Sequence, residues 1–206
     1  MTICIKKDKA ELFNNLIKIQ SGYAFKSFDF TTTGLRKIIK IKNITPPSIS
    51  LEESMFFDGE LTPKLSKYEV SFKDILISMT GSTANQMKSA VGQVGRYLLN
   101  YPSLMNQRVG KLTLLKSSIS SEFCYQFISD VETHLELLAG STGSANQANI
   151  SPTQIESLKL VLPKSGVMSN YDRVAVPIVD RLALIRQESS KLDELKTIIN
   201  IKMSKA

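Results

Sequence analysis

The sequence predicts an α/β protein of the α+β type: a strongly twisted, mixed β-sheet with short helices over residues 1–166, then a long amphipathic helix over 167–206. Three observations predict it. Short runs rich in Ile, Val and Leu recur between Gly, Pro and Asp residues, the punctuation of strands. Few segments before residue 166 carry helical spacing. Residues 169–205 contain no Gly, and Ile178, Ile185, Leu192 and Ile199 stand seven apart, the repeat of a helix with a coiled-coil-like seam.

Taken in order, residues 8–19 (DKAELFNNLIKI) open on Asp8, an N-cap candidate, with Glu11 three positions on. This predicts a short helix turning Leu12, Phe13, Leu16 and Ile17 inward. QSGYAFKS, 20–27, is a turn in which aromatic and basic residues interleave. GLRKIIKIKNI, 34–44, reads as a strand with Ile38, Lys40 and Lys42 on one face and Ile39 and Ile41 on the other. Pro46-Pro47 ends it, and 48–63 is loop-like. KYEVSFKDILISMTGS, 67–82, predicts a strand, a turn at Lys73-Asp74 and a buried strand over 75–79. AVGQVGRYLL, 90–99, and QRVGKLTLLKS, 107–117, are two further strands with a Tyr-Pro turn between them. Residues 121–140 place Phe123, Phe127, Ile128, Val131, Leu135 and Leu138 near helical spacing, with Gly140 as the stop. Ser151, Pro152 and Gln154 are a helix start with Ser at N-cap, Pro at N1 and Gln at N3. That helix is short, because SLKLVLP, 157–163, is strand-like again.

In the long C-terminal helix, Leu182 and Leu195 fill in between the seven-residue repeats. Ser169 and Asp172 are candidate caps, and Pro177 either kinks the helix or marks its start. Ser189 and Lys196 interrupt the seam. A lone helix cannot bury such a stripe on itself, so it needs the globular body, a second copy or another protein. The length favours a partner for the distal half. There is also a short internal echo: GSTANQ, 81–86, and GSTGSANQ, 140–147. Two such polar loops either lie side by side on one edge of the domain or are ordinary Gly/Ser turns.

Hydrophobic residues make up 42% of the chain and charged residues 22%, enough for a real core. The net charge is +7, and the excess is uneven: residues 1–50 carry nine Lys/Arg against three Asp/Glu. A basic face of that kind attracts a polyanion. Two distant cysteines, Cys4 and Cys124, point to a reducing, cytoplasmic setting and to no metal site. No apolar run approaches the ~18–20 residues that span a bilayer. The single His134 sits in a helical pattern and reads as structural. No catalytic triad can be assembled, and GSTGS at 140–144 lacks the Lys-Ser/Thr ending of a phosphate-binding loop. NITPPS, 43–48, is not the Asn-Pro-Pro-aromatic run of amino-methyltransferases. The reading is a binding subunit with no catalytic residue, cofactor or metal of its own.

In order, the SGYAFKS turn, KIIKIKNI, DILISMTGS, VGQVGRYLL, NQRVGKL, LLAGSTGSANQANIS, and LKLVLP followed by a long helix cover nearly the whole chain. Together they resemble the DNA-specificity (S) subunit of type I restriction-modification systems. The resemblance implies a non-catalytic target-recognition domain over 1–166 and a spacer or dimerisation helix over 167–206. It implies sequence-specific recognition of one half of a split double-stranded DNA site in the major groove. It also implies methyltransferase subunits, which bring S-adenosylmethionine, and through them a restriction translocase subunit. The usual S subunit is about twice this long, so the chain resembles half of one, and a homodimer through the helix is an expected arrangement. SNYDR stands where the family has Glu-Gln before the spacer helix, and the family's N-terminal Trp is missing, which leaves the partner docking open.

On this reading, Lys26, Arg36, Lys37, Lys40, Lys42 and Lys88 are the expected phosphate contacts, and Tyr23, Ser82, Asn85, Gln86 and Arg108 the expected base readers. Thr83, Asn146 and Gln147 belong with them, although Asn146, Gln147 and Asn149, like the 82–86 loop, serve equally well as satisfiers of buried backbone groups. The partner seam is Ile178, Leu182, Ile185, Leu192, Leu195 and Ile199. Two other readings stay open: an assembly protein using the seam without DNA, and a phosphate-ligand enzyme using residues 140–144.

Overall fold

The computed structural model describes residues 10–83, 91–144 and 147–204. The chain opens not as a helix but as β1 (Ala10–Leu12), one 3-10 turn (Phe13–Asn15) and β2 (Ile17–Ser21). The expected helix over 8–19 is therefore corrected; its Asp8 cap lies outside the described residues. The four-residue spacing of the apolar side chains fits a strand–turn–strand just as well, and long-range pairing decides. β2 pairs over five residues with a later strand and buries Ile17 and Ile19 at period two. Phe13 and Leu16 are buried as expected, but Leu12 is exposed.

β3 (Arg36–Ile39) is shorter than the strand expected over 34–44. Both Ile38 and Ile39 are fully buried, against different apolar clusters, so β3 is covered on both faces. The chain then turns because buried Asn43 takes the Lys40 N–H on its Oδ1 at 2.9 Å and donates Nδ2 to Glu52 O and Ser54 Oγ. Lys40 and Lys42 consequently leave the strand. A short β4 (Ile44–Thr45) follows; residues 48–63, expected as loop, supply β5 (Ser48–Ile49), β6 (Phe56–Phe57) and the start of α1 (Pro63–Ser66); and β7 (Glu69–Val70) lies in the strand expected from residue 67. The turn at Lys73-Asp74 is present, with Lys73 at φ 70°. It leads into the fully buried β8 (Ile75–Ser78) and then β9 (Thr80–Gly81).

β10 (Val94–Arg96) and β12 (Val109–Leu114) match the two expected strands. Between them lies β11 (Ser103–Met105), which the Tyr-Pro turn concealed. The helix expected over 121–140 is two, α2 (Ser121–Ser129) and α3 (Val131–Ala139). Asp130 adopts an extended conformation between them and accepts the Glu132 N–H at 2.9 Å, capping the second. The break turns Val131 and Leu135 outward and buries Thr133 and Leu137 instead. A hairpin, β13 (Thr142–Ser144) and β14 (Gln147–Asn149), follows. α4 (Pro152–Glu156) carries the expected capping box of Ser151 and Gln154, and β15 (Lys159–Val161) pairs with β1.

Among the described residues the strands pair into a six-stranded sheet, order β2-β12-β8-β10-β5-β4, and a four-stranded sheet, order β6-β3-β11-β7. Both are mixed, with β10/β5 and β11/β3 parallel and the other pairs antiparallel. The main core lies where Ile17, Ile19, Ile75 and Ile77 meet Cys124, Ile128, Leu137 and Ile155 from the helices. Burial pushes the Cys124 thiol up to about 12, so only about 1 in 10,000 molecules carries its thiolate at pH 8. Iodoacetamide is expected to leave Cys124 unmodified in the folded protein and to label it in urea, as read by peptide mapping. Labelling of the folded protein at the rate of an exposed cysteine would contradict this packing.

α5 (Ser165–Met203) is a single helix of 39 residues, about 58 Å long at 1.5 Å per residue. It starts before Ser169 and Asp172, which therefore are not its caps; Asp172 instead accepts the Ser120 hydroxyl at 2.6 Å. Pro177 lies inside it. The helix rests on the body through a narrow face: Met168, half-buried Ala175 and Val179, and buried Ala183. Polar contacts hold this face in place. Lys73 pairs with Asp180, and Arg186 Nε meets Ser48 Oγ at 3.4 Å. No helix among the described residues is long and apolar enough to cross a membrane.

Candidate nucleic-acid interface

The pairing of β14 with β9 builds the candidate site. Ala148 stands opposite Gly81 and Asn149 opposite Thr80, and the Thr80 hydroxyl donates to Asn149 Oδ1 at 2.7 Å. The described strands at the two echoing segments, 80–81 with 142–144 and 147–149, thus share one three-stranded sheet, order β13-β14-β9. Gly143, at φ 142°, lets the hairpin close: a Cβ there would lie 2.0 Å from Gln147 O. Residues 142–144 form an exposed strand, not a turn feeding a helix N-terminus, which removes the geometry a phosphate loop requires.

The same rim receives three more segments. Met79 N–H donates to Arg108 O at 2.8 Å, which sets the two-residue turn Gln107-Arg108 beside the start of β9. Gly22 N–H donates to Val109 O and Tyr23 N–H to Met105 O, both at 2.9 Å. Gly22 is required here, since a Cβ would lie 2.2 Å from Asn106 O. Asn106 N–H in turn donates to Ile39 O at 2.9 Å, placing Lys40 at this end of β3. Tyr23, Lys40, Ser82, Thr83, Arg108 and Gln147 are therefore gathered along one rim by strand pairing. Asn85, Gln86, Lys88 and Asn146 lie outside the described residues.

The side chains on this rim differ in their engagement. Arg108 and Gln147 are exposed. Tyr23 is half-buried, its ring 5.0 Å from Phe25 and 5.4 Å from Tyr68. The Lys40 ammonium sits 3.7 Å from the Phe30 ring centroid, and burial, with Lys42 nearby, lowers its pKa. Lys26 is exposed at the head of the 27–29 turn.

Three other expected phosphate contacts are engaged by, or buried in, the body itself. Lys37 donates to Leu51 O at 3.1 Å, with its ammonium 5.5 Å from the Phe56 and 5.3 Å from the Tyr101 ring centroids. Burial lowers its pKa, against the opposing pull of Glu194 from α5. Arg36 is half-buried on β3 opposite Phe57, with its Nε buried and unpartnered. Lys42 pairs with Glu53 at 3.2 Å. Gln107, which the sequence reads as the start of a strand, shares the exposed turn of Arg108. The Lys64 ammonium, from a segment with no periodic signal, lies 5.8 Å from the Tyr23 ring centroid. His134 is structural: its Nε2 lies 2.7 Å from Val91 O.

The seam residues of α5 face away from the body. Ile178, Leu182, Ile185, Leu192, Leu195 and Ile199 are all exposed, Ile185 at 44% and Leu192 at 64%.

A family model described as type I restriction modification DNA specificity domain matches residues 13–197. No curated protein matches the chain. Solved structures that share its fold include three from type I systems. The type I restriction-modification S subunit from M. genitalium has a TM-score of 0.53 at 15% identity, over 99% of this chain and 46% of that one. A structure described as the basis of complex assembly and conformational transition of the type I R-M system has a TM-score of 0.58 at 12% identity, over 94% and 44%. The HsdS subunit from Thermoanaerobacter tengcongensis has a TM-score of 0.56 at 12% identity, over 86% and 39%. The chain thus spans less than half the length of each.

Proposed function

Because the chain belongs to the family of type I restriction-modification DNA specificity domains, we propose that it reads one half of a split duplex DNA site. The rim built by the β9–β14 pairing makes the contact, and α5 joins the chain to its complex. The observation that carries this reading is the convergence of five separate chain segments, polar or basic at their tips, on one edge of the body. Arg108, exposed on a two-residue turn, is suited to bidentate pairing with a guanine edge. Lys26 and Lys40 supply positive charge for phosphates, which fix register without carrying sequence information. The methyltransferase subunits, and through them the translocase, meet the exposed seam of α5, as does a second copy of the chain. The chain itself contributes recognition and brings no catalytic group or cofactor.

Selection from a random duplex pool, with the chain alone and with a methyltransferase subunit, tests the reading. Enrichment of a short half-site is expected, and a repeated half-site at fixed spacing where two copies pair. Arg108→Ala is expected to cost about 1–3 kcal/mol on the selected duplex and to relax preference at one base pair. Lys40→Ala is expected to weaken all sequences alike and to flatten the salt slope by about 1. An unchanged slope removes Lys40 from the phosphate set. Binding that salt abolishes, with no sequence enriched, would leave only the assembly role of the seam.

A further inference from the structure

Phe28 is 78% exposed, the most exposed large apolar side chain among the described residues. The neighbouring Phe25 and Phe57 are buried, so the chain forgoes burial of this ring in particular. The exposure does not come from a loose loop. Phe28 sits in the 3-10 turn 27–29, where Lys26 N–H donates to Asp29 Oδ2 at 2.7 Å and Asp29 N–H donates to Lys26 O at 3.0 Å. The next residue, Phe30, anchors the turn: its ring lies 6.3 Å from Phe25 and beneath the Lys40 ammonium. Phe25 N–H donates to Tyr23 O at 3.0 Å, so the turn follows directly from the rim. An aromatic ring is held out on a rigid base, which lowers the ordering cost of a contact.

The surroundings indicate what it meets. The one carboxylate in the turn, Asp29, is engaged as a cap, while the Lys26 ammonium stands over the Phe28 ring and the Lys40 ammonium over that of Phe30 in the same segment. That suits a polyanion rather than an acidic or neutral protein face. The Lys26 ammonium lies 5.8 Å from the Phe28 ring centroid and covers one face. A wedge between base pairs needs both faces, whereas contact with a methyl group needs only the edge or the open face. We propose that Phe28 is a specificity-determining residue that reads a thymine through its C5-methyl group in the major groove. This inference rests on the DNA-recognition reading above.

The test uses the full chain and the duplex selected from the random pool, with each thymine replaced in turn by deoxyuridine, which lacks only that methyl. One replacement is expected to weaken the wild-type protein about fourfold, the worth of one apolar carbon, and to leave Phe28→Ala unaffected. Phe28→Ala is expected to bind the thymine duplex roughly 10-fold more weakly, within the range of one lost base-pair contact, with its thermal unfolding unchanged. Phe28→Leu should keep the thymine preference. Equal sensitivity to deoxyuridine in wild type and Phe28→Ala, or unchanged affinity on a site the wild type does select, overturns the role of Phe28 and leaves recognition standing. If Phe28→Ala instead loses only a methyltransferase subunit, the ring is a protein contact and the proposal fails. If the wild type selects no site, the recognition reading fails first.

Discussion

Replacing Arg96 with Met is expected to lower the unfolding free energy by about 3–5 kcal/mol, because it leaves Glu122, in the first turn of α2, as an uncompensated buried charge. Arg96 Nη2 lies 2.8 Å from Glu122 Oε2, and the two side chains are 3% and 7% exposed. The guanidinium carbon is 4.6 Å from the Tyr125 ring centroid, and its nitrogens donate to Ser121 Oγ and Ser121 O at 3.3 and 3.4 Å. Burial is the largest influence on both groups. It lowers the pKa of Arg96 and raises that of Glu122, each opposed by the partner's charge. Mutual attraction therefore does not fully repay dehydration, and a double replacement, Arg96→Met with Glu122→Leu, is expected to recover most of the loss. Urea midpoints of the three proteins check this; a single variant as stable as the wild type would show that the pair contributes nothing. The pH dependence has a definite sign. A carboxyl whose folded pKa lies above its ordinary value favours the fold when protonated, and that contribution is lost as pH rises from 4.5 through the folded pKa. The deficit of Arg96→Met should accordingly shrink on acidification toward pH 4.5.

Asp at Ile185 or at Leu192 is expected to weaken association through α5 by more than about 100-fold, since each would place an unpaired charge in a buried seam at a cost of at least about 3 kcal/mol. Both side chains are exposed in the single chain, and the body contacts a different face of the helix, through Ala175, Val179 and Ala183. Folding of the body should therefore be unaffected, with an unchanged thermal transition of the core. Light scattering across a concentration series, alone and with a methyltransferase subunit, reads the outcome. An unchanged mass for both variants would mean that the seam plays no part in assembly.

The amphipathic character of α5 was legible because apolar residues recur every seven positions from Ile178 to Ile199 in a stretch, 169–203, without Gly. The choice of face was not. The body takes a row of small residues, where a helix can approach closely, and leaves the larger Ile and Leu stripe outside. At the other end of the chain, spacing misled. Phe13, Leu16 and Ile17 fit helical spacing, yet all are fully buried in a strand–turn–strand. Asp130 breaks an otherwise continuous pattern by capping, a local bond that apolar spacing does not report.

By itself, the sequence determined the basic charge of the first fifty residues, the buried strand after the Lys73-Asp74 turn, the Ser151–Gln154 capping box and the motif order of a specificity domain. These depend on composition and on contacts within a few residues. Only the tertiary structure decided which basic residues stand together. Lys37 and Lys40 are three apart in sequence, yet the first ammonium is occupied by Leu51 O and the second lies over the Phe30 ring. It also decided that the 80–83 and 142–149 segments share a sheet and that Arg108 stands beside them. Those positions are set by hydrogen bonds between strands up to 69 residues apart in sequence, and no local pattern encodes such pairing.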